Sequence, residues 1–264
     1  MSLVCVFAAS ESEAKPVVRI AQSSSKGSSA FGARLLSSGT NEFALVVGGI
    51  GPKAARAKAI EALGSSTISD GSAGGPRRKP DAVLVVGLCG ALSSSLPETQ
   101  IVAYTECLCT QESRPALRCS PPITHRLIEL LKSRGIACDP VTGITSPRVA
   151  VTKENRVALG RSGASVVDME SYEILAVAAE AGVSGLVLRV VSDSLDREMP
   201  DFNRALMPDG TANRRRLARV ILGSPLRMAR LLVISKRAMG HFAKALEIIL
   251  PADCFALETP AIGK

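Results

Sequence analysis

Five stretches of this chain are apolar almost end to end: LVCVFAA (3–9), EFALVVGG (42–49), DAVLVVGLCG (81–90), SVVDM (165–169) and SGLVLRVVSD (184–193). Such continuous Val, Leu and Ala runs suit strands covered on both faces, not strands with one wet side. A sixth run, TQIVAYTECLC (99–109), keeps some alternation. Helical patterns lie between the runs. PKAARAKAIEAL (52–63) carries Pro in its first turn, and HRLIELLKSRG (125–135) and SYEILAVAAEAG (171–182) both stop at glycine. Strands alternating with helices predict an α/β fold: a single three-layer αβα domain with a central twisted mixed, mostly parallel sheet. With 264 residues, the chain can fill one large core of this kind or two small domains.

Other features narrow the function. No apolar run reaches the ~18 residues of a membrane span. The start, MSLVCVFAASESEAK, has no basic leader and meets Glu11 early, so it reads as a first strand of a cytoplasmic protein and not as a signal peptide. Seven cysteines form no CxxC pair, and only His125 and His241 could join them, so no metal is expected and the cysteines read as small core residues. The net charge of +8 is concentrated between residues 214 and 250, where nine Lys and Arg face Glu247 alone. The division expected is an α/β domain over 1–210 and a basic helical extension over 211–264, packed on or beside it. The stretches 23–32 and 64–80, rich in Ser, Gly and Pro, read as mobile loops.

Ligands of such sheets bind beyond the carboxyl ends of the strands. Asp168, Glu170 and Asp193 fall there, as does the turn GLCGA (87–91). A carboxyl group screened from water can hold a proton and act as a general acid. A second can accept hydrogen bonds from two vicinal hydroxyls, which suits a sugar. The plainer alternative is that Asp168 caps a helix and Asp193 closes a turn. Glu11 and Glu13 follow the first strand, where one could orient water or a hydroxyl; a solvated helix start is the alternative. The glycine turns VVGGIGPKAA and VVGLCGAL match neither a dinucleotide-binding nor a Walker pattern, and each alone reads as a tight turn.

Taken in order, ESEA, GGIGPKAA, VGLCGAL, VVDMES and RVVSDSLD resemble the nucleoside phosphorylase and nucleosidase superfamily, near the 5′-methylthioadenosine/S-adenosylhomocysteine nucleosidases. The matches run over most of residues 3 to 196, and VVDMES and RVVSD are the specific ones. The resemblance implies cleavage of the N-glycosidic bond of a purine nucleoside through an oxocarbenium-like state. By that likeness Glu170 binds the ribose 2′- and 3′-hydroxyls, with Met169 packed on the sugar. Asp193 protonates N7 of the departing purine, oriented by Ser192. Glu13 activates water. Gly87, Leu88, Cys89 and Gly90 line the site. No cofactor is implied, and a homo-oligomer is. The stretch SDSLDREMPDFNRALMPDG is most similar to the hopanoid-associated branch, which removes adenine from adenosylhopane.

The chain also departs from the family pattern. Leu88 stands where phosphorylases often have serine, and ASESEAK lacks the arginine of their early loop. Both departures favour water as nucleophile, with inorganic phosphate the alternative co-substrate. The purine-stacking aromatic expected near 146–150 is missing from SPRVA, and Phe202 is the candidate to replace it. The competing readings are a non-catalytic nucleoside-binding relative and a methylthioadenosine- or futalosine-type nucleosidase. The tail carries only Phe242 as an aromatic, so nucleic acid is not the expected partner. Residues 214–250 read as two helices broken near GSPL (223–226). Their apolar and basic residues suit peripheral contact with an anionic membrane, or a helix that packs on the sheet with its arginines in water.

Overall fold

A computed structural model describes residues 2–23, 33–64, 68–69, 77–111, 113–205, 207 and 213–255. The first half of the chain supplies β1 (Leu3–Ala8), α1 (Glu11–Ile20), β2 (Gln22–Ser23), β3 (Ala33–Ser38), β4 (Asn41–Val47), α2 (Pro52–Leu63), the short β5 (Ile68–Ser69) and β6 (Arg77–Arg78), β7 (Ala82–Ala91) and β8 (Ile101–Cys109). The second half adds β9 (Leu117–Arg118), α3 (Pro121–Ser133), β10 (Cys138–Thr145), α4 (Lys153–Gly160), β11 (Val166–Asp168), α5 (Ser171–Glu180), β12 (Ser184–Asp193), a 3-10 turn at Phe202–Arg204, α6 (Arg214–Gly223) and α7 (Pro225–Ile249). The mobile loops expected at 23–32 and 64–80 lie largely outside the described residues, as does the expected domain boundary at 210/211.

One mixed sheet carries the site, in the order β11-β10-β8-β12-β7-β1-β4-β3-β2. β4, β1, β7 and β12 run parallel, as do β8, β10 and β11; β12 meets β8 antiparallel. The far end of β7 also pairs with β11, Val166 opposite Ala91 and Val167 opposite Gly90. Strands β7, β12, β8, β10 and β11 therefore close into a ring, while β1, β4, β3 and β2 continue as an open wing. Closure brings VGLCGA of β7 against both VVD and RVVSD, segments that lie far from it in sequence.

The alternating side chains of the central strands fill two cores. Cys5, Phe7, Val83 and Val85 pack with Ala55 and Ala59 of α2 and Tyr172 and Ile174 of α5. Val4, Val6, Leu84, Val86 and Leu188 pack on the other face with Val17 of α1, Ile123 and Leu127 of α3, and Phe242 and Leu246 of α7. Two-sided burial is why these strands read as continuous apolar runs. All six buried cysteines are free thiols, and Cys109 is half-buried.

The tail forms two helices that meet at Ser224, with Pro225 opening the second. The two ends of α7 differ. Ala238, Phe242, Ala245, Leu246 and Ile249 are fully buried, whereas Leu226, Leu232 and Val233 are 85, 62 and 69 % exposed. The chain after α7 returns to the sheet: Asn41 donates to the carbonyls of Leu250 (2.9 Å) and Ala252 (2.8 Å), and Phe255 packs edge-on to Phe43.

Candidate active site

Three carboxylates far apart in sequence, Glu13, Glu170 and Asp193, line one cavity of about 290 Å³ at the carboxyl ends of the strands, with Asp168 as a fourth beside Glu170. All three are buried, at 7, 6 and 4 % exposure. Leu88, Cys89, Gly90, Met169 and Ser192 line the same space. Gly87 does not face it. It lies behind, at φ 146, where an added Cβ would stand 2.5 Å from Glu13 Oε1 and 2.7 Å from Arg189 Nη1. Only glycine leaves room for that meeting.

Glu13 sits in the first turn of α1, which Ser10 caps by accepting from the Glu13 N–H. The carboxylate accepts from the Leu88 N–H at Oε1 (2.8 Å) and from Ser10 Oγ at Oε2 (3.2 Å). Glu11 points elsewhere and pairs with Arg34 at the surface. The two acids that look alike in sequence are thus separated by the helix period.

Glu170 precedes α5. Its Oε1 accepts from the Gly51 N–H at 2.9 Å, and its Oε2 lies 3.5 Å from Arg189 Nη2. Gly51 has φ 93 and caps α2, so the turn GGIG reaches across to Glu170. Burial lifts the Glu170 carboxyl to about 7; Arg189 and the Gly51 N–H pull it down, and Asp168 and Glu13 push it up. Asp168 takes the structural role. Its Oδ1 accepts from the N–H groups of Glu170 and Ser171 (3.0 Å each) and from Thr145 Oγ1 (2.8 Å), and its Oδ2 accepts from the Tyr104 hydroxyl (2.9 Å). Burial alone would raise the Asp168 carboxyl; Arg189 and these hydrogen bonds hold it below the usual range. Glu173, on the first turn of α5, turns away to pair with Arg114 and Arg56.

Asp193 ends β12, in register with Gly90 of β7, beyond an irregularity that sets Ser192 out of the ladder. Ser192 Oγ donates to Asp193 Oδ1 (2.5 Å) and also lies 3.2 Å from the Cys89 carbonyl. Asp193 Oδ2 makes a close ion pair with Arg156 of α4. An added Cβ at Gly90 would come within 2.8 Å of Asp193 Oδ2 and 3.0 Å of Arg156 Nη1.

Sequence reasoning missed two arginines here, Arg156 and Arg189, each 1 % exposed. Arg189 links the acids: it donates to Ser171 Oγ (2.9 Å) and the Leu88 carbonyl (3.2 Å) and faces Asp168 at 3.6 Å. Burial would lower its pKa, and Asp168 and Glu170 more than reverse that. A signal was available, since an arginine inside a strand covered on both faces must meet an acid. Phe202 is not part of the lining, where Val149, Ala150 and Met199 supply the apolar surface. The 146–150 loop is pinned to the 3-10 turn by Asn203, which bonds both the N–H (2.9 Å) and the C=O (3.0 Å) of Val149.

Solved structures share this fold. The 5′-methylthioadenosine/S-adenosylhomocysteine nucleosidase of Neisseria meningitidis, in complex with methylthio-immucillin-A, superposes with TM-score 0.70 at 16 % identity, covering 95 % of this chain and 99 % of that one. The nucleosidase of the same description from Helicobacter pylori gives 0.68 at 15 %, over 94 and 97 %. The futalosine hydrolase of Helicobacter pylori strain 26695 gives 0.68 at 15 %, over 93 and 96 %. No curated protein matches the chain by sequence. The fold is thus that of nucleosidases and phosphorylases, and carboxylates and arginines gather at its strand ends. The family assignment is direct: residues 3–224 match the model of the phosphorylase superfamily, and the chain belongs to that family.

Proposed function

We propose that this chain cleaves the N-glycosidic bond of an adenine nucleoside with an apolar 5′-substituent, of which adenosylhopane is the example, and that water is the nucleophile. The observation that carries the reading is the convergence of Glu13, Glu170 and Asp193 on one small cavity. Glu170 accepts from the ribose 2′- and 3′-hydroxyls, beside Met169. The bond between C1′ and the base nitrogen breaks with its electron pair leaving on the base, which Asp193 meets. Glu13, fixed by the Leu88 N–H and Ser10, takes the proton of the water that adds to C1′. Leu88 offers no polar side chain to a phosphate oxygen, which supports hydrolysis. The test is incubation with 5′-substituted adenosines, with and without phosphate, and chromatography of the products. Binding without turnover would favour a non-catalytic relative.

A second observation favours a place at the bilayer. Leu222, Leu226, Leu232 and Val233 stand exposed on the elbow of α6 and α7, among Arg215, Arg216, Arg219 and Arg230. A cavity of about 600 Å³ shares Ser192, Asp193 and Met199 with the site and is bounded on its other side by Leu226, Leu231 and Ile234. Exposed apolar residues and exposed arginines on the same two helices suit an anionic lipid surface. The reading includes a cytoplasmic enzyme, peripheral at the inner membrane face, and a homo-oligomer, which light scattering of the purified protein measures.

A further inference from the structure

Helix α4 buries a single residue, and that residue is Arg156. An arginine is a costly group to desolvate, yet it is the one side chain of α4 that is buried, while Leu159 packs on the core only in part. The side chain reaches the cavity, with one nitrogen on Asp193 Oδ2 and Nη1 donating to the Ala91 carbonyl at 3.3 Å. Its Nε is buried and has no hydrogen-bond partner among the described residues. Around it the structure is arranged to hold the guanidinium in place. Thr152 caps α4 by accepting from the Asn155 N–H, Lys153 pairs with Asp196 at 2.6 Å just beyond Asp193, and Gly90 leaves the space that a methyl group would fill. Asp193 accepts at both oxygens, from Ser192 at one and from Arg156 at the other. The group facing the base is therefore a guanidinium–carboxylate pair and not an isolated acid.

Resting on the reading of this site as a glycosidic one, we propose that Arg156 is a leaving-group residue. When the C1′–N bond breaks, the electron pair goes to the base, and the fixed guanidinium donates to a ring nitrogen of the departing base and stabilises its negative charge. Asp193 holds Arg156 in place and accepts from an N–H of the base. The water proton goes to Glu13, and the base takes its own proton from solvent as it leaves. A donor already aimed at developing charge is worth about 10²–10³ in rate.

The test compares two ribosides on the intact protein: an adenine nucleoside, and 4-nitrophenyl β-D-ribofuranoside, whose leaving group is stable as an anion. Arg156→Gln should lower kcat on the nucleoside about 10²-fold more than on the nitrophenyl riboside, and Arg156→Lys should recover part of the difference. Equal losses on both substrates would show that Arg156 only holds the site together and would overturn the proposal, as would a near-normal nucleoside rate in Arg156→Gln. If the unaltered protein cleaves neither riboside, the glycosidic reading falls and the proposal with it. The nitrophenyl arm also reports that each variant is folded.

Discussion

Asp193 and Glu170 are both buried carboxylates at strand ends, yet their surroundings give them different tasks. Asp193 is gripped from both sides, by Ser192 and Arg156. Replacing it with Asn keeps the shape but removes the charge that positions Arg156. Asp193→Asn should lower base release by about 10²–10⁴, with nucleoside binding by calorimetry little changed. A near-normal rate would remove Asp193 from the mechanism. Glu170 is lifted to about 7 chiefly by burial. Below that pH it is neutral and a poorer acceptor for two hydroxyls, so KM for ribosides should rise as pH falls through 7 and change much less for 2′-deoxyribosides. The stability effect runs the other way. A folded-state pKa above the unfolded value of ~4.3 gives stability that is full below the unfolded pKa and lost as pH rises through about 7. Glu170→Gln should therefore raise Tm at pH 8 and not at pH 4, while weakening riboside turnover; thermal melts at the two pH values check it.

At the scale of elements, the sequence was most legible where one physical signal dominated. The bounds of α2 are legible in the sequence because Pro52 marks its first turn, and those of β12 because its run is apolar to Asp193. β10 is not legible there, because Pro140 and Gly143 interrupt CDPVTGIT. β3 is short and partly polar. The site was legible only in part. Glu13, Glu170 and Asp193 stand next to apolar runs, which marks them. Arg156 sits on a helix whose other residues are polar or half-exposed, and nothing local distinguishes it from a solvated arginine. Its partner comes from the closing of β7 onto β11 and β12, a long-range event. The tail divides within one helix. Phe242→Ala, at a fully buried position packed with the sheet, should cost about 3–5 kcal/mol in denaturant unfolding. Leu226→Ala, at 85 % exposure, should cost under about 0.5 kcal/mol. Similar losses at both would show that the elbow packs as the rest of α7 does.

For the whole molecule, the proposed place at the bilayer implies one orientation. The +8 of the chain is gathered on the helices whose elbow adjoins the site, and no helix among the described residues is long and apolar enough to cross a membrane. The protein should float with vesicles rich in anionic lipid at low salt and be released by high salt. Arg215→Ser, Arg216→Ser and Leu226→Ser together should abolish flotation. No flotation at low salt would contradict the bilayer reading, and if the same changes instead dissolve an oligomer, the elbow is covered by a second copy of the chain. The central claim, that these buried carboxylates serve glycosidic hydrolysis, is tested most directly by product analysis in phosphate-free buffer. A 5′-substituted adenosine should yield free adenine and a free reducing sugar, and Glu13→Gln should stop both. Base release that requires phosphate and forms ribose 1-phosphate would contradict hydrolysis, and release of no base under either condition would contradict the claim entirely.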